Sequence, residues 1–303
     1  MHRIQILTTL LAVLPLAAAD FSGARALADT RQVTAIGPRP PGSPELAKTR
    51  AYILAQLKPT GCALIADKFV ATIPGGTLAM ENIICRLAGK SGKAVVFTGH
   101  YDTKVTTGER FVGANDGGSS TGFLIEMARA LARRPRVHDV YLVWFDGEEA
   151  IQHWSATDGL HGSRHLAERW KADGMLSRIV ALVNVDMIGD RTLGVMNEQN
   201  SQPGVRQLLW TVANDLGFGR HFLSVPSYIE DDHIPFVRLG VPAADLIDFD
   251  YGPDNSHWHT PADTVDKLAA ESFDVIGKVL IEFLRRVETG RLTPDGYRSD
   301  PAR

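Results

Sequence analysis

The chain alternates between short runs of continuous hydrophobic residues and longer stretches in which hydrophobic residues recur every three or four positions. The runs KAVVFTG (93–99), VYLVWF (140–145) and IVALVNVDMIG (179–189) are typical of strands buried on both faces of a sheet. The stretches STGFLIEMARALARR (120–134) and ESFDVIGKVLIEFLRRV (271–287) are typical of amphipathic helices. Strands that alternate with helices predict one α/β domain, with a central, mixed and mostly parallel sheet flanked by helices.

Further segments extend this pattern. Ser43-Pro44-Glu45 predicts the start of a helix that runs to Leu57, because Ser favours the N-cap and Pro the first turn. Other segments are strand-like (62–71, 81–88, 243–247) or helical (162–172, 204–217). No internal repeat or linker divides the chain, so we expect one folded domain over 20–290 and a loose polar tail over 291–303.

The N-terminal segment has a pattern of its own. Arg3 is followed by a short apolar run, and Ala17-Ala18-Ala19 precede Asp20. A positive start, an apolar core and small residues at a cleavage position predict a signal peptide over 1–19. The run is short for a membrane span, so we expect an exported protein, periplasmic or secreted, without stable membrane association after cleavage.

Composition is that of an ordinary globular protein, with 44% hydrophobic residues, 22% charged residues and a formal net charge of −3. The absence of a long basic run argues against a nucleic-acid partner. The segment GKSGK (89–93) lacks the upstream glycine and the final Ser or Thr of a phosphate-binding loop, so we do not interpret it as one.

The two cysteines, Cys62 and Cys85, lie on either side of TIPGG (72–76), which predicts a hairpin. In an exported protein they meet an oxidising compartment, where a cross-strand disulfide forms if the geometry allows it. Two buried free thiols are the alternative, and the sequence does not decide between them.

Acidic and imidazole side chains follow four of the predicted strands, and one more acid lies in a glycine-rich loop before a helix. The carboxyl ends of parallel strands meet at one edge of a sheet, where ligands bind. Singly, such residues are most often helix caps or hydrogen-bonded groups, but together they need a counter-charge. A divalent cation supplies it, and mixed His, Asp and Glu ligands suit zinc. The residues are His100, Asp102, Asp116, Glu148, Glu149, Asp186, His257 and His259.

Glu148 and Glu149 are adjacent, and neighbouring carboxylates repel each other unless a cation or a shared proton intervenes. Successive residues that leave a strand point in different directions, so one of the pair can bind a metal while the other cannot. The second carboxylate is then available for proton transfer, with a pKa that burial raises and the nearby cation lowers.

The segment Gly118–Gly122, GSSTG, matches the G-x-S-x-G nucleophile elbow of serine hydrolases. That elbow requires a strand directly before the serine, and the nearest clear strand ends near Gly99. We therefore interpret the segment as the N-terminus of a helix.

Several motifs resemble those of zinc aminopeptidases of the bacterial leucyl aminopeptidase type: GHYD, NDGGSSTG, DGEEA, GSRHLA, VDMIGD and HWHTPADT. GEEAIQHWSATDGLHGSRHLA, IEDDHIPFVRLGVP and SHWHT further resemble the glutaminyl cyclases within that family. The resemblance implies a zinc aminopeptidase-like (phosphorylase/hydrolase-like) fold and a catalytic domain over 20–290. The implied reaction converts the N-terminal glutamine of peptides or proteins into pyroglutamate and releases ammonia.

The resemblance also implies roles for individual residues. One zinc ion is held by Asp116, Glu149 and His259. Glu148 transfers the proton, and Asp186 and Asp231 match two acids of a hydrogen-bond relay. Trp154, Trp258, Ile229 and Glu230 match substrate-binding positions, although animal cyclases have Gln where this chain has Glu230.

A two-zinc aminopeptidase is the alternative activity. It would add His100 and Asp186 as ligands of a second metal, and Glu148 would activate a metal-bound water. Three features favour the cyclase, because they indicate a small hydrophobic pocket: the tryptophan-bearing insert between Glu149 and Gly162, the EDDHIPF loop (230–236) and Trp258. A metal-dependent binding protein without turnover is a third hypothesis, and Glu148, which has no metal-binding duty in either scheme, argues against it. The sequence does not determine the oligomeric state.

Overall fold

The computed structural model describes residues 20–108, 110–293 and 296–299. The predicted signal peptide, 1–19, lies outside the described residues. The helices are α1 (Gly23–Ile36), α2 (Pro44–Leu57), α3 (Gly118–Ala132), α4 (His161–Ala172), α5 (Pro203–Asp215), α6 (Ile234–Arg238) and α7 (Ala270–Thr289). The strands are β1 (Ala63–Ile73), β2 (Gly76–Leu87), β3 (Ala94–His100), β4 (Asp139–Phe145), β5 (Ile179–Asp186), β6 (Val195–Glu198), β7 (Phe222–Ser227), β8 (Ala243–Ile247), β9 (Gly290–Thr293) and β10 (Gly296–Ser299).

Six strands form the central sheet, in the order β1-β2-β4-β3-β5-β8. Strands β4, β3, β5 and β8 are parallel to their neighbours in this group, whereas β1 and β2 form an antiparallel hairpin that pairs with β4. The predicted single α/β domain with a mixed central sheet is therefore confirmed. The four parallel strands carry their carboxyl ends to the same edge, which is where the candidate residues were expected.

Helices cover both faces of the sheet. Alternate residues of β4 show the division, since Val140, Leu142 and Trp144 belong to one buried cluster and Val143 and Phe145 to the other. Helices α1, α2, α3, α5 and α7 contribute to the first cluster and α4 and α6 to the second. Burying one such large side chain contributes about 1.5–3 kcal/mol, so the continuous hydrophobic strands are stable only between two helical layers.

Helix α2 begins as predicted, with the Ser43 hydroxyl accepting a hydrogen bond from the Leu46 amide at 3.0 Å. Helix α1 was not predicted. It packs closely on α3 because Gly122 has no side chain: a Cβ there would lie 2.3 Å from Thr30 Oγ1. Strands β6 and β7, which form a separate parallel pair, were not predicted either.

The β1–β2 hairpin contains the disulfide that the sequence left open. Cys62 and Cys85 are bonded, with their Cα atoms 5.5 Å apart. Leu64, two residues after Cys62, pairs with Cys85 across the hairpin, so the bond ties the start of β1 to the end of β2. Among the described residues, no helix combines the length and the apolar character needed to cross a membrane.

The C-terminal stretch differs from the expected loose tail. Residues 290–293 and 296–299 pair as the antiparallel strands β9 and β10. Leu292 and Tyr297 are partly buried against the main core, so two hydrophobic side chains in a polar stretch hold this hairpin to the domain.

Candidate active site

The site lies at the carboxyl ends of the parallel strands. His100 is the last residue of β3 and Asp186 the last of β5, while Glu148 and Glu149 follow β4 after a turn at Gly147. Asp116 immediately precedes the turn that begins α3. Residues separated by up to 86 positions in the chain, His100 and Asp186, therefore meet at one edge of the sheet, as the strand pattern predicted.

Asp116, Glu149 and His259 bring three donor atoms together, all within 4.8 Å of one another. His259 Nε2 lies 3.2 Å from Asp116 Oδ2 and 3.0 Å from Glu149 Oε1. In tetrahedral coordination with bonds of about 2.0–2.1 Å, ligand atoms lie about 3.3 Å apart. The three side chains thus have the spacing of ligands around one small cation.

The bonding state of these atoms supports the same interpretation. Asp116 Oδ2 and Glu149 Oε1 are buried, and although both face His259 Nε2, neither accepts a well-directed hydrogen bond within the described structure. A buried carboxylate oxygen without a hydrogen bond is costly. A divalent cation bound by the three side chains would compensate both oxygens, so the residues fit a metal ion.

In the absence of a cation, a proton on His259 partly neutralises the two carboxylates. Burial lowers the pKa of His259, but the carboxylates of Asp116 and Glu149 outweigh this effect and raise it to about 9. A metal ion would displace that proton, because a ligating histidine must be neutral.

Two buried acids position the metal-ligand candidates through the backbone. Asp263 accepts the amides of Asn115 and Asp116 at 2.8 and 3.1 Å. Asp102 accepts the amides of Glu148 and Glu149 at 3.2 and 3.3 Å. Sequence reasoning listed Asp102 without a role and missed Asp263, because backbone hydrogen bonds of this kind leave no spacing signal.

Arg39 was also missed, since a lone arginine in a proline-rich segment gives no signal. It is fully buried and donates to the carbonyls of Tyr101, Val112 and Gly113. Burial lowers the pKa of Arg39 to about 10, so the guanidinium remains charged at neutral pH. It fixes the loop between β3 and Asp116 and places a cation behind an acidic site.

A second group of potential ligands adjoins the first. His100 Nε2 lies 3.2 Å from Asp116 Oδ1 and 3.2 Å from Asp186 Oδ1. Asp116 therefore faces both groups, one oxygen toward each. Burial lowers the pKa of His100, but hydrogen bonds to Asp102, Asp116 and Asp186 outweigh it and raise the pKa well above its usual range.

Glu148 lies outside the metal-ligand group. Its Oε2 is 3.9 Å from His100 Nδ1, and its side chain is buried. Burial raises the pKa of Glu148, His100 lowers it, and the charges of Glu149, Asp231 and Asp232 raise it further, with the result well above the usual range. Burial also raises the pKa of Asp186, to about 7, against the opposing effect of His100.

These acids line one cavity of about 230 Å³. Pockets that bind drug-sized ligands have volumes of at least roughly 300 Å³. The cavity therefore suits one small side chain. Trp258 stacks on the His259 ring at 4.0 Å between centroids, and Phe249 meets Trp258 edge-on at 4.8 Å. The lining residues are Asp116, Glu148, Glu149, Trp154, Asp186, Glu230, Asp231, Phe249, Trp258 and His259.

Comparison with the predicted substrate-binding residues gives two differences. Phe249 lines the cavity and was not predicted, since an isolated Phe after a short strand carries no chemical signal. Ile229 is not among the lining residues and packs instead against the main core. Its amide donates to the buried Glu198 carboxylate at 3.2 Å, which holds the loop that carries Glu230 and Asp231.

Three histidines pair with acidic side chains that do not line the cavity. His161, His165 and His233 lie 3.5, 3.1 and 3.2 Å from Asp158, Asp67 and Glu198. His257 packs edge-on against Tyr251.

The GSSTG segment is not a nucleophile elbow. It forms the first turns of α3, and the Ser120 hydroxyl is buried and donates to the His100 carbonyl at 2.7 Å.

This chain is similar in sequence and in fold to known proteins of the kind that its motifs resemble. The model of peptidase family M28 matches residues 82–284. The glutaminyl-peptide cyclotransferase of Drosophila melanogaster is 31% identical over 270 residues, which cover 80% of this chain and 75% of that protein. The crystal structure of an Acidobacteriales bacterium glutaminyl cyclase superposes with a TM-score of 0.86 at 40% identity, over 94% of this chain and 99% of that one. A Zn-dependent exopeptidase from Parabacteroides distasonis, 24% identical with a TM-score of 0.79 over 88% and 99% of the two chains, shares the fold.

Proposed function

The chain belongs to peptidase family M28, and on that premise we propose that it is a zinc-dependent glutaminyl-peptide cyclotransferase. Its substrate would be the N-terminal glutamine of peptides or proteins, converted to pyroglutamate with release of ammonia. Residues 20–290 form the catalytic domain in this proposal. The named relatives support the reaction, and the donor set of Asp116, Glu149 and His259 supports the metal.

One observation carries the proposal: the side chains of Glu148 and Glu149 lie in different environments. Glu149 Oε1 lies 3.0 Å from His259 Nε2, whereas Glu148 faces a cavity walled by tryptophans without joining that group. A small, partly aromatic cavity suits a single glutaminyl side chain, whose aliphatic part packs on indole faces. The buried acid beside it is in the right place to move a proton.

The residues of this chain would act together on the substrate as follows. Bound zinc would supply Lewis acidity toward the γ-amide carbonyl. Glu148 would take a proton from the α-amine as that nitrogen bonds to the side-chain amide carbon, Cδ, of the same residue. Glu148 would then return the proton to the amide nitrogen, Nε2, whose bond to Cδ breaks as ammonia leaves. Trp154 and Trp258 would exclude water and hold the side chain in the folded conformation from which the ring closes.

The test is a direct comparison of two reactions catalysed by one purified protein. Ammonia release from a Gln-initiated dipeptide measures cyclisation, and release of leucine from a chromogenic leucine amide measures hydrolysis. We expect ammonia release with a pyroglutamyl product and little hydrolysis of the leucine amide. Ready release of leucine together with an unreacted Gln-dipeptide would overturn the proposal.

A metallo-aminopeptidase is the second candidate, and one observation favours it. Asp116 faces His259 with one oxygen and His100 with the other, and His100, Asp116 and Asp186 form a second potential metal-binding group. Such a bridging carboxylate suits two metal ions. The tryptophan walls and the named relatives favour the cyclase.

We also propose that the protein is exported after cleavage of residues 1–19. The Cys62–Cys85 disulfide is consistent with an oxidising compartment. Mass analysis of the mature protein from its native host would give Asp20 as the first residue, and an intact N-terminus would contradict this proposal.

A further inference from the structure

Trp154 is held in a way that burial alone does not explain. It lies in the loop that joins β4 to α4, and 42% of its surface is exposed. An exposed indole gains little from packing, so its orientation depends on the backbone that carries it. The hydrogen bonds of residues 150–160, here called the Trp154 loop, show how that backbone is fixed.

Asp158 organises the first half of this loop. Its carboxylate is only 2% exposed and accepts three consecutive amides just before Trp154: Ile151 at 2.8 Å, Gln152 at 2.8 Å and His153 at 3.1 Å. Burial raises the pKa of Asp158, but these amides outweigh it and lower the pKa, so the group stays ionised. Charge-assisted bonds of this kind are stronger than neutral ones.

Arg164 organises the second half. From the first turn of α4 its guanidinium donates to the carbonyls of Ala156, Gly159 and Leu160, the last from Nε at 3.2 Å. The carboxylate thus binds the amides that precede the indole, and the guanidinium binds the carbonyls that follow it.

Two contacts connect this arrangement to the cavity. The Leu160 amide donates to the carbonyl of Glu148 at 2.7 Å, which fixes the end of the loop relative to the proposed proton-transfer residue. The indole lies directly against Gly159, where a Cβ would be 3.0 Å from Trp154 Cε3 and Cζ3. The position of the indole relative to Glu148 therefore depends on the backbone path between residues 151 and 160.

We propose that Asp158 and Arg164 are positioning residues that together hold Trp154 against the substrate. Neither is among the residues that line the cavity, so both act through the Trp154 loop. The inference rests on the proposed function in one respect, namely that Trp154 contacts the glutaminyl substrate. The hydrogen bonds that Asp158 and Arg164 make to the Trp154 loop do not depend on the reaction.

A double-mutant cycle separates this role from a general structural one. The four proteins are the unmodified chain, Asp158→Ala, Trp154→Ala and the double variant, each assayed for kcat and KM with a Gln-dipeptide. Misplacement of a substrate-contacting group by about 1 Å can cost 10²-fold, so we expect Asp158→Ala to lower kcat/KM by about 10- to 100-fold. In the Trp154→Ala background the same change should have an effect of about twofold or less. Equal losses in both backgrounds would overturn the proposal.

A second measurement does not depend on activity. Amide hydrogen exchange at Ile151, Gln152 and His153 should accelerate in Asp158→Asn, which has one acceptor oxygen in place of two, and the zinc content should not change. Arg164→Lys should increase amide exchange across the Trp154 loop, because lysine lacks the planar guanidinium that donates to several carbonyls at once. Asp173→Ala, at the exposed end of α4, is the matched control and should change neither activity nor exchange.

The two proposals fail in different ways. If the unmodified protein releases no ammonia, the proposed function is wrong, and amide exchange alone tests whether Asp158 and Arg164 hold the Trp154 loop. Unchanged protection of the three amides in both Asp158→Asn and Arg164→Lys would overturn this positioning role. These conservative variants also serve if Asp158→Ala does not fold.

Discussion

Glu148 and Glu149 are neighbours in the chain, yet only Glu149 places a carboxylate oxygen within 3.0 Å of His259 Nε2. Glu148 Oε2 instead lies 3.9 Å from His100 Nδ1. The backbone reason is Asp102, whose two oxygens accept the two consecutive amides and fix the direction in which each side chain leaves the chain. One acid can therefore bind a metal while the other remains available for proton transfer.

We expect one metal ion and not two, because His100 can take the place of the second. Its Nε2 lies 3.2 Å from one oxygen of Asp116 and 3.2 Å from one of Asp186, so a protonated imidazole there would supply the positive charge of a second metal. We expect chelator-treated protein to bind one tight equivalent of zinc, measured by titration with metal analysis.

Two variants make that result specific. His100→Ala should still bind one equivalent, and His259→Ala should bind none. Two equivalents in the unmodified protein, with one lost in His100→Ala, would indicate the two-metal aminopeptidase.

The stability of the protein should depend on pH through Glu198, which holds the loop that carries Glu230 and Asp231. Burial raises the pKa of Glu198, but hydrogen bonds from His233, Ser201 and the Asn200 amide outweigh it and lower the pKa to about 2. A folded-state pKa below the unfolded value stabilises the protein above about pH 4.5, and this contribution declines as the pH falls toward 2. We expect Glu198→Gln to lower the free energy of unfolding by about 2–3 kcal/mol at pH 7.

Denaturant unfolding at several pH values checks this prediction. The difference between the unmodified protein and Glu198→Gln should shrink between pH 5 and pH 3. Glu168→Gln, an exposed acid on α4, is the control and should show little difference at any pH. A difference that is constant with pH would contradict the assignment.

The disulfide should stabilise the edge hairpin of the sheet. Cys62 and Cys85 are 23 residues apart, and closing a loop of that size contributes about 3 kcal/mol in the chain-entropy model. We expect the double variant Cys62→Ala/Cys85→Ala to lose about 2–3 kcal/mol of unfolding free energy. A reducing agent should destabilise the unmodified protein by a similar amount and leave the double variant unchanged. A loss below about 0.5 kcal/mol would contradict the prediction.

The parts of the fold that the sequence predicts are those with a strong periodic signal. Strands β3, β4 and β5 are continuous hydrophobic runs, and α7 repeats its hydrophobic residues over 20 positions. Because these strands are parallel, the pattern also places His100, Glu149 and Asp186 at one edge. The strand pattern alone thus accounts for Glu149, whereas the full set of Asp116, Glu149 and His259 was implied by the resemblance to the zinc aminopeptidases and glutaminyl cyclases.

The remaining parts depend on tertiary contacts that a single sequence does not reveal. Helix α1 has only three large hydrophobic side chains, Leu27, Val33 and Ile36, and packs closely on α3 at Gly122. Arg39, Asp158 and Asp263 act through hydrogen bonds to backbone groups far along the chain or around a loop, and no residue spacing indicates these partners. The C-terminal hairpin similarly depends on Leu292 and Tyr297 reaching the main core.

The division of labour between the two adjacent glutamates is the central claim, and one measurement tests it most directly. Zinc content per chain and ammonia release from a Gln-dipeptide are determined for Glu148→Gln and Glu149→Gln, prepared side by side. Glu148→Gln should keep one equivalent of zinc and lose activity by about 10²- to 10⁴-fold, the usual contribution of a proton-transfer group. Glu149→Gln should lose the zinc together with the activity. Equal depletion of zinc in both variants, or a fully active Glu148→Gln, would contradict the account.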